Sequence, residues 1–374
     1  MRISYIASNR IPSARANGYG TMKLCEEWGR LGHTVRLIVP NKKHSPKEDA
    51  FTFYSIKPLF KIIRPSVSDF LAGGETLVHL RYLIDTLSYM YSLLRIGFSH
   101  DDIIYTREYL LALVLPKSKL FLEMHTLPNS GFLVRRALRR ARGIIAISSG
   151  VRDAIVRLGI SPQKILVAHD GVDPEVFAKS APDRTVWKKF GIDPNKKIVL
   201  YTGHFYGWKG TDTLVEAAQY VPRNVHIVLM GAADEELVQY GQHENISIVP
   251  HQPFERVPQF LKSADVLVLP NSAKAEISRS HASPLKLFEY MAAGVPIVAS
   301  DVPSIREILD DASAFWFTPD DAESCAQAIA YALSHTEEAG EKISRARAIV
   351  EAYSWKARGE RIVSRISHTL YGNK

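Results

Sequence analysis

Cysteine is nearly absent from this 374-residue chain: Cys25 and Cys325 are the only two, and they stand far apart. Two such residues supply neither a disulfide framework nor a zinc-ligand spacing, so a reducing compartment is the expectation. No apolar run approaches the roughly 18 residues needed to span a bilayer. The amino terminus, Met1-Arg-Ile-Ser-Tyr-Ile-Ala7, reads as a first strand and lacks the apolar core and small-residue cleavage site of a secretory signal. A cytoplasmic protein is expected, soluble or peripheral at the inner face of the plasma membrane. Also missing is an Asp-x-Asp after a strand, the usual means of holding a divalent ion on phosphate. Asp101-Asp102 precedes a strand, and Asp310-Asp311 and Asp320-Asp321 lie in polar segments. The expected chemistry therefore uses no metal and no cofactor. No pair of carboxylates stands out at the positions a glycosidase needs. Zinc-finger spacing, an RNA-recognition signature and Lys/Arg runs interleaved with aromatics are likewise absent, which argues against nucleic acid as a partner.

What is present is globular. Hydrophobic residues make up 46% and charged residues 23%, and the length suits two domains with separate cores. The net charge of +8 is uneven: residues 1–180 carry 26 Lys and Arg against 15 Asp and Glu, the remainder 21 against 24. A basic first half suits an anionic partner, and a membrane surface fits better than nucleic acid.

Short apolar strands alternate with helical patterns. Ile3–Ala7, Thr34–Val39, Ile103–Thr106, Leu120–Glu123 and Gly143–Ile147 read as strands, with helices over Thr21–Leu31 and Leu133–Arg142. Lys197–Thr202, Val225–Met230, Ile246–Val249, Val266–Leu269 and Ile297–Ala299 restart the pattern, followed by a strand near Phe315 and a last amphipathic helix from about Trp355. This is an α/β chain with two Rossmann-like, doubly wound parallel sheets. The polar run 174–195 reads as linker plus the start of the second domain.

The stretch His281–Ser300 organises the rest. Ser283 suits an N-cap and Pro284 the first helical position, Leu285–Ala293 a short helix, and Gly294 a left-handed stop before Pro296. Such a helix start offers unpaired N–H groups to a phosphate, with Lys286 adding charge, and Glu289 suits the two hydroxyls of a ribose. By itself the pattern equally describes an ordinary capped helix. Three other places carry chemistry. A Gly-bearing loop, Pro12 to Gly20, follows the first strand, with Gly18 and Gly20 able to let backbone approach a phosphate. Arg107, Glu108 and His125 stand at strand ends, where ligands bind in open parallel sheets. Lys209 lies between two glycines in Gly203-His-Phe-Tyr-Gly-Trp-Lys-Gly210, again a strand-to-helix turn.

The segment Ser283-Pro-Leu-Lys-Leu-Phe-Glu-Tyr-Met-Ala292 resembles the donor-binding signature of the retaining, group 1 glycosyltransferases of family 4. The resemblance covers the second domain and the ends of the first. It implies the GT-B fold, with two domains facing across a cleft: residues 1–173 on the acceptor side, completed by a helix over 355–374 that crosses back, and residues 174–354 on the nucleotide-sugar side. It implies transfer of a sugar from a UDP- or GDP-sugar to a glycan or lipid-linked acceptor, in cell-surface polysaccharide or glycolipid synthesis. It assigns His125 to the donor sugar, Lys209 and the Ser283–Lys286 helix start (with Leu285) to the diphosphate, the Gly18–Gly20 loop to its cover, Glu289 to the ribose, and the His251-Gln252 loop to the nucleobase. The chain departs from the family in two places. His281 stands where the first of two Glu residues eight apart is usual, and His204 where many members have Arg. Arg279 adds charge beside the diphosphate, and Glu276 is a carboxylate near the missing Glu.

Two regions remain open. Residues 41–100 combine aromatics and basics, as an acceptor region or a plain insertion would. Arg135, Arg136, Arg139, Arg140 and Arg142 crowd one helix. The bland reading is a solvated face, and the alternative, together with Arg107, is an anionic-lipid or acceptor contact. Two other function classes share the fold: a nucleotide-sugar epimerase and a non-catalytic nucleotide-sugar-binding or scaffold protein, the latter favoured by His281.

Overall fold

The computed structural model describes residues 1–13, 15–42, 48–68, 78–128, 131–232 and 244–372. The chain divides into two compact units. Unit 1 comprises Met1–Ile147, Val151–Ala168 and Trp355–Lys374, and unit 2 comprises Ser148–Gly150 and His169–Ser354.

Unit 1 is built on β1 (Arg2–Ile6), β2 (Thr34–Ile38), β3 (Lys61–Ile63), β4 (Asp102–Thr106), β5 (Leu120–Met124), β6 (Gly143–Ala146) and β7 (Ile165–Val167). All pair in parallel, in the order β3-β2-β1-β4-β5-β6-β7. The order reverses between β1 and β4, which marks the carboxyl ends of these two strands as the natural ligand crevice of this unit. Both faces are covered, as near-continuous apolar strands require. On one face the Ala16–Arg30 helix meets the carboxy-terminal helix Trp355–Tyr371, with Trp28 in edge contact with Tyr105 and its indole N–H donating to the Gly359 carbonyl at 3.3 Å. On the other, Tyr89 and Leu93 of the Val78–Ile96 helix share a core with Leu111 and Ala112 and with Val134, Ala137 and Leu138 of the Gly131–Arg140 helix.

Unit 2 is built on β8 (Lys197–Thr202), β9 (Val225–Ala232), β10 (Ile246–Pro250), β11 (Val266–Leu269), β12 (Ile297–Ser300) and β13 (Phe315–Phe317), parallel throughout in the order β10-β9-β8-β11-β12-β13. Its reversal falls between β8 and β11. Residues 174–195 are not linker: Phe177, Val186 and Trp187 are buried in the core of this unit, where the Trp187 ring packs edge-on against Phe260. Their polar neighbours hid three anchors in a run that composition alone marks as loop.

The strands and the helix Leu285–Ala293 stand where the apolar pattern puts them, to within a residue or two. Gly294 ends that helix in the left-handed region at φ 70°. Ser283, however, does not cap it. The capping position is Pro284, in extended geometry with no side-chain cap, and the Ser283 hydroxyl instead accepts the Asp170 N–H at 3.2 Å. The glycine loop is also shorter than its sequence suggests. The helix starts at Ala16, so Gly18 and Gly20 lie in its first turns, not in a loop. They are needed for packing. A Cβ on Gly18 would collide with the Tyr54 hydroxyl, itself fixed by the Ser13 N–H and carbonyl at 2.7 and 2.8 Å, and one on Gly20 would press on the Trp355 ring at 3.1 Å.

Candidate active site

In unit 2 the candidate site grows from the end of β8. The Thr202 N–H donates to the Tyr290 hydroxyl at 2.8 Å, which ties the strand end to the Leu285–Ala293 helix. Gly203 follows at φ 124°, its N–H bonded to the Met230 carbonyl at the end of β9. Two ammonium groups converge here. The Nζ atoms of Lys209 and Lys286 each lie 3.6 Å from the point a Cβ on Gly203 would occupy, and so no more than about 7 Å from each other. The Lys209 loop is held by Gly210, which at φ 72° passes so close to the Pro270 carbonyl that no Cβ fits.

Lys286 is buried, 8% exposed, with its ammonium 3.6 Å above the Tyr201 ring. Among the described residues Nζ has no hydrogen-bond partner. Burial first, and the Lys209 charge second, push it well below the ordinary lysine range, with Glu289 opposing. Glu289, one turn along the same helix, is pushed up to about 7 by burial, an effect that the Lys286 charge only partly offsets. A buried amine whose three donors find no hydrogen-bond partner among the described residues, beside a second basic group, is an arrangement that a bound polyanion relieves.

The remaining predicted donor residues surround this pair unevenly. His204 stacks on Tyr206 (ring centroids 5.4 Å apart), Tyr206 stacks on Trp208 (6.2 Å), and Lys209 lies 5.3 Å over both of the latter rings. His251, edge-on to Phe254 at 5.9 Å, is held below its usual range by desolvation and then by the His204 charge. Gln252 donates to the Pro250 carbonyl at 3.0 Å. Arg279 is exposed on a single π-helical turn, Ile277–His281. His281, at the end of that turn, is buried, its Nε2 3.7 Å from Glu276 Oε1. The structure thus pairs the unexpected histidine with the nearby carboxylate. Leu285 and Pro284 are half-buried at the helix start.

In unit 1 His125 stands just beyond β5, at a hollow of about 240 Å3 lined also by Asn9, Asn17, Arg107, Glu108 and Thr126. Its Nε2 bonds Glu123 Oε1. Arg107 Nε lies 3.8 Å from the same oxygen. On the Gly131–Arg140 helix Arg135, Arg136 and Arg139 are exposed, whereas Arg140 is half-buried and donates to the carbonyls of Ala112 and Leu115 at 3.1 and 2.9 Å. Arg140 therefore leaves the surface group and closes the end of the Tyr109–Ala112 helix.

Sequence reasoning missed Tyr201, which underlies Lys286, and Glu123 with its partner Arg358. Glu123 did carry a signal, an acid inside the apolar run Leu120-Phe-Leu-Glu-Met124. Arg358 carried none, since its role depends on a contact 235 residues away.

Comparison with known proteins bears on both units. Residues 19–176 match the family described as Glycosyltransferase Family 4, and residues 183–351 match Glycosyl transferases group 1. The chain is 30% identical over 204 residues to alpha-maltose-1-phosphate synthase of Mycolicibacterium smegmatis, covering 49% of each. It is 25% identical over 229 residues to D-inositol 3-phosphate glycosyltransferase of Xylanimonas cellulosilytica, covering 57% of this chain and 53% of that one. The chain spans about half the length of the curated relatives it matches. Among solved structures, Anabaena HepE in complex with UDP-glucose superposes with a TM-score of 0.73 at 18% identity over 98% of this chain and 99% of that one, which shows a shared fold. With two parallel α/β units of the GT-B kind and successive matches from residue 19 to residue 351, the chain belongs to the group 1 glycosyltransferases of family 4.

Proposed function

We propose that the protein is a retaining, metal-independent glycosyltransferase that moves a sugar from a nucleotide-sugar to a glycan or lipid-linked acceptor. The observation that carries this reading is the convergence of Lys209 and Lys286 at Gly203, with the buried Lys286 ammonium lacking a hydrogen-bond partner among the described residues. Two basic side chains at the switch point of a doubly wound sheet suit the diphosphate of a donor, whose charge favours the ammonium form of Lys286 that burial opposes, and stabilise the charge that develops as it leaves. They supply the role a divalent ion plays elsewhere, which supports metal independence. Glu289 takes the ribose hydroxyls, and the His204–His251 side takes the base. His125 is assigned to the sugar through the resemblance. In the step itself the bond from the anomeric carbon to the phosphate oxygen breaks. A bond to the acceptor oxygen forms on the same face, and the acceptor proton passes to the departing phosphate.

The acceptor is proposed to be presented at an anionic membrane face. Support comes from exposed Arg135, Arg136 and Arg139, and from Ile84, Leu87, Tyr91 and Leu94, which are 37 to 70% exposed along one face of the Val78–Ile96 helix. No helix among the described residues is long and apolar enough to cross a membrane. The non-catalytic reading keeps one observation in its favour, the burial of His281 against Glu276 where the family has a carboxylate.

The test is calorimetric titration with UDP, GDP and ADP sugars, with and without EDTA, followed by product analysis. UDP-glucose is the first to try, because HepE binds it. Tight binding unaffected by EDTA, with turnover, supports the transferase. Binding without turnover on any acceptor supports the non-catalytic reading, and no binding to any nucleotide-sugar overturns both.

A further inference from the structure

Glu123 is 2% exposed, and one of its oxygens faces three basic side chains. Oε1 bonds His125 Nε2, accepts from Arg358 Nη2 at 3.0 Å, and lies 3.8 Å from Arg107 Nε. The other oxygen accepts from the Tyr105 hydroxyl. Arg358 is 1% exposed on the carboxy-terminal helix and also donates to the Ala168 carbonyl. Burial alone would raise the Glu123 carboxyl. The Arg358 charge, then His125 and Arg107, outweigh burial and hold it well below the usual carboxylate range. A permanent anion is thus fixed in the interior directly behind His125.

We propose that Glu123 is the positioning residue of His125, and that Arg358 holds Glu123 in place. The proposal rests on the reading of His125 as the group that meets the donor sugar, and adds to it the device that aims the ring. An imidazole with one nitrogen committed to a buried carboxylate has a fixed tautomer and a fixed ring plane. Nε2 carries the proton toward Glu123, which fixes the orientation of the ring at the hollow beyond β5. The carboxylate in turn cannot shift, because Tyr105 holds its second oxygen from β4 and Arg358 holds the first from the carboxy-terminal helix. The residue that closes the chain's fold thereby sets the geometry of a side chain 233 positions earlier, since Arg358 and His125 share one carboxylate oxygen.

Two variants test this. E123Q keeps the size of the side chain and removes its charge. The double variant E123L/R358M removes both buried charges together, a replacement that buried ion pairs tend to tolerate. Each is compared with wild type and with H125A for melting temperature, nucleotide affinity, kcat and KM. Histidine nitrogen NMR identifies the His125 signals by their loss in H125A. Wild type is expected to show His125 protonated at Nε2. The folded double variant is expected to show a mixture of tautomers and a kcat lower by about 10²-fold, with nucleotide affinity and KM close to wild type. E123Q should fall between the two. Wild-type kcat and wild-type tautomer in either folded variant would overturn the proposal, as would failure of both to fold, which would make Glu123 a structural residue only. Wild-type turnover in H125A would instead remove His125 from the reaction, while the tautomer measurement still reports whether Glu123 fixes the ring.

Discussion

Glu123, buried on β5, and Glu289, half-buried on the Leu285–Ala293 helix, are two carboxylates each beside a basic residue, and they are driven in opposite directions. Glu123 is held well below its ordinary range and Glu289 is pushed up to about 7. Burial acts on both the same way. The difference lies in the partners. Glu123 receives bonds from Tyr105, His125 and Arg358, whereas among the described residues Glu289 has the Coulomb attraction of Lys286 alone, a group whose charged form is itself opposed by burial and by Lys209. Among the described residues both oxygens of the Glu123 carboxylate are bonded, whereas the Lys286 ammonium beside Glu289 has no hydrogen-bond partner. A completed network stabilises the fold, whereas an incomplete one costs stability until a ligand arrives.

The sharpest way to break this comparison is to remove one charge from each side. R358A strands Glu123 without its main counter-charge. A loss of about 3–5 kcal/mol in folding stability is expected from denaturant unfolding, and a change below 1 kcal/mol would mean the network is not the support it looks like. K286M should act in the other direction on stability, gaining about 1–2 kcal/mol because an unpartnered polar group leaves the interior. The same variant should lose about 10²- to 10³-fold in kcat/KM, and its melting temperature should no longer rise when UDP is added, as the wild-type value should by mass action. K286M with lower stability and normal turnover would place the ligand elsewhere.

The pH dependence gives a smaller effect with a definite sign. Glu289 binds its proton more tightly in the folded protein than in the unfolded chain. Its contribution to stability is therefore full below about pH 4.5, and is lost as pH rises through about 7. The loss is on the order of 3 kcal/mol at most. E289Q should be more stable than wild type above pH 7 and no more stable near pH 4.5, as read from unfolding curves at both values. Parallel curves across that range would mean that the folded site leaves Glu289 with an ordinary affinity for its proton.

How much of this was legible beforehand follows from how local each cause is. The Leu285–Ala293 helix and its Gly294 stop are set by neighbouring residues, and the sequence pattern places both. Lys209 and Lys286 are legible as charged residues at strand-to-helix turns, and the family resemblance assigns both to one diphosphate, but residue pattern alone does not bring them together at Gly203, because that depends on how β8 and the helix pack. Gly18 and Gly20 read as loop-formers, since glycine weakens a helix. Their actual partners, Tyr54 and Trp355, lie far along the chain and decide the matter. The Glu123–Arg358 pair failed for the same reason.

The two units also differ in where surplus positive charge is kept. Unit 2 places a basic group in its interior at Lys286, and unit 1 carries exposed charge on Arg135, Arg136 and Arg139. On the same side of the unit 1 sheet, the Val78–Ile96 helix turns Leu87, Tyr91 and Leu94 toward solvent, with Arg95 5.6 Å from the Tyr91 ring. With Tyr89 and Leu93 in the core, the helix is thus apolar on its outer face as well as its inner one, unlike the usual surface helix. Exposed charge of this kind adds about 1 kcal/mol per residue near an anionic bilayer and is screened by salt. Replacing the three arginines with glutamine should therefore weaken co-sedimentation with phosphatidylglycerol vesicles by up to about 10²-fold at low salt, while leaving melting temperature and UDP affinity unchanged. L87E/L94E should weaken binding in a way that added salt does not reproduce. Equal binding of wild type to neutral phosphatidylcholine vesicles would show that the arginines do not select the surface, and the comparison between the units would then concern only their interiors.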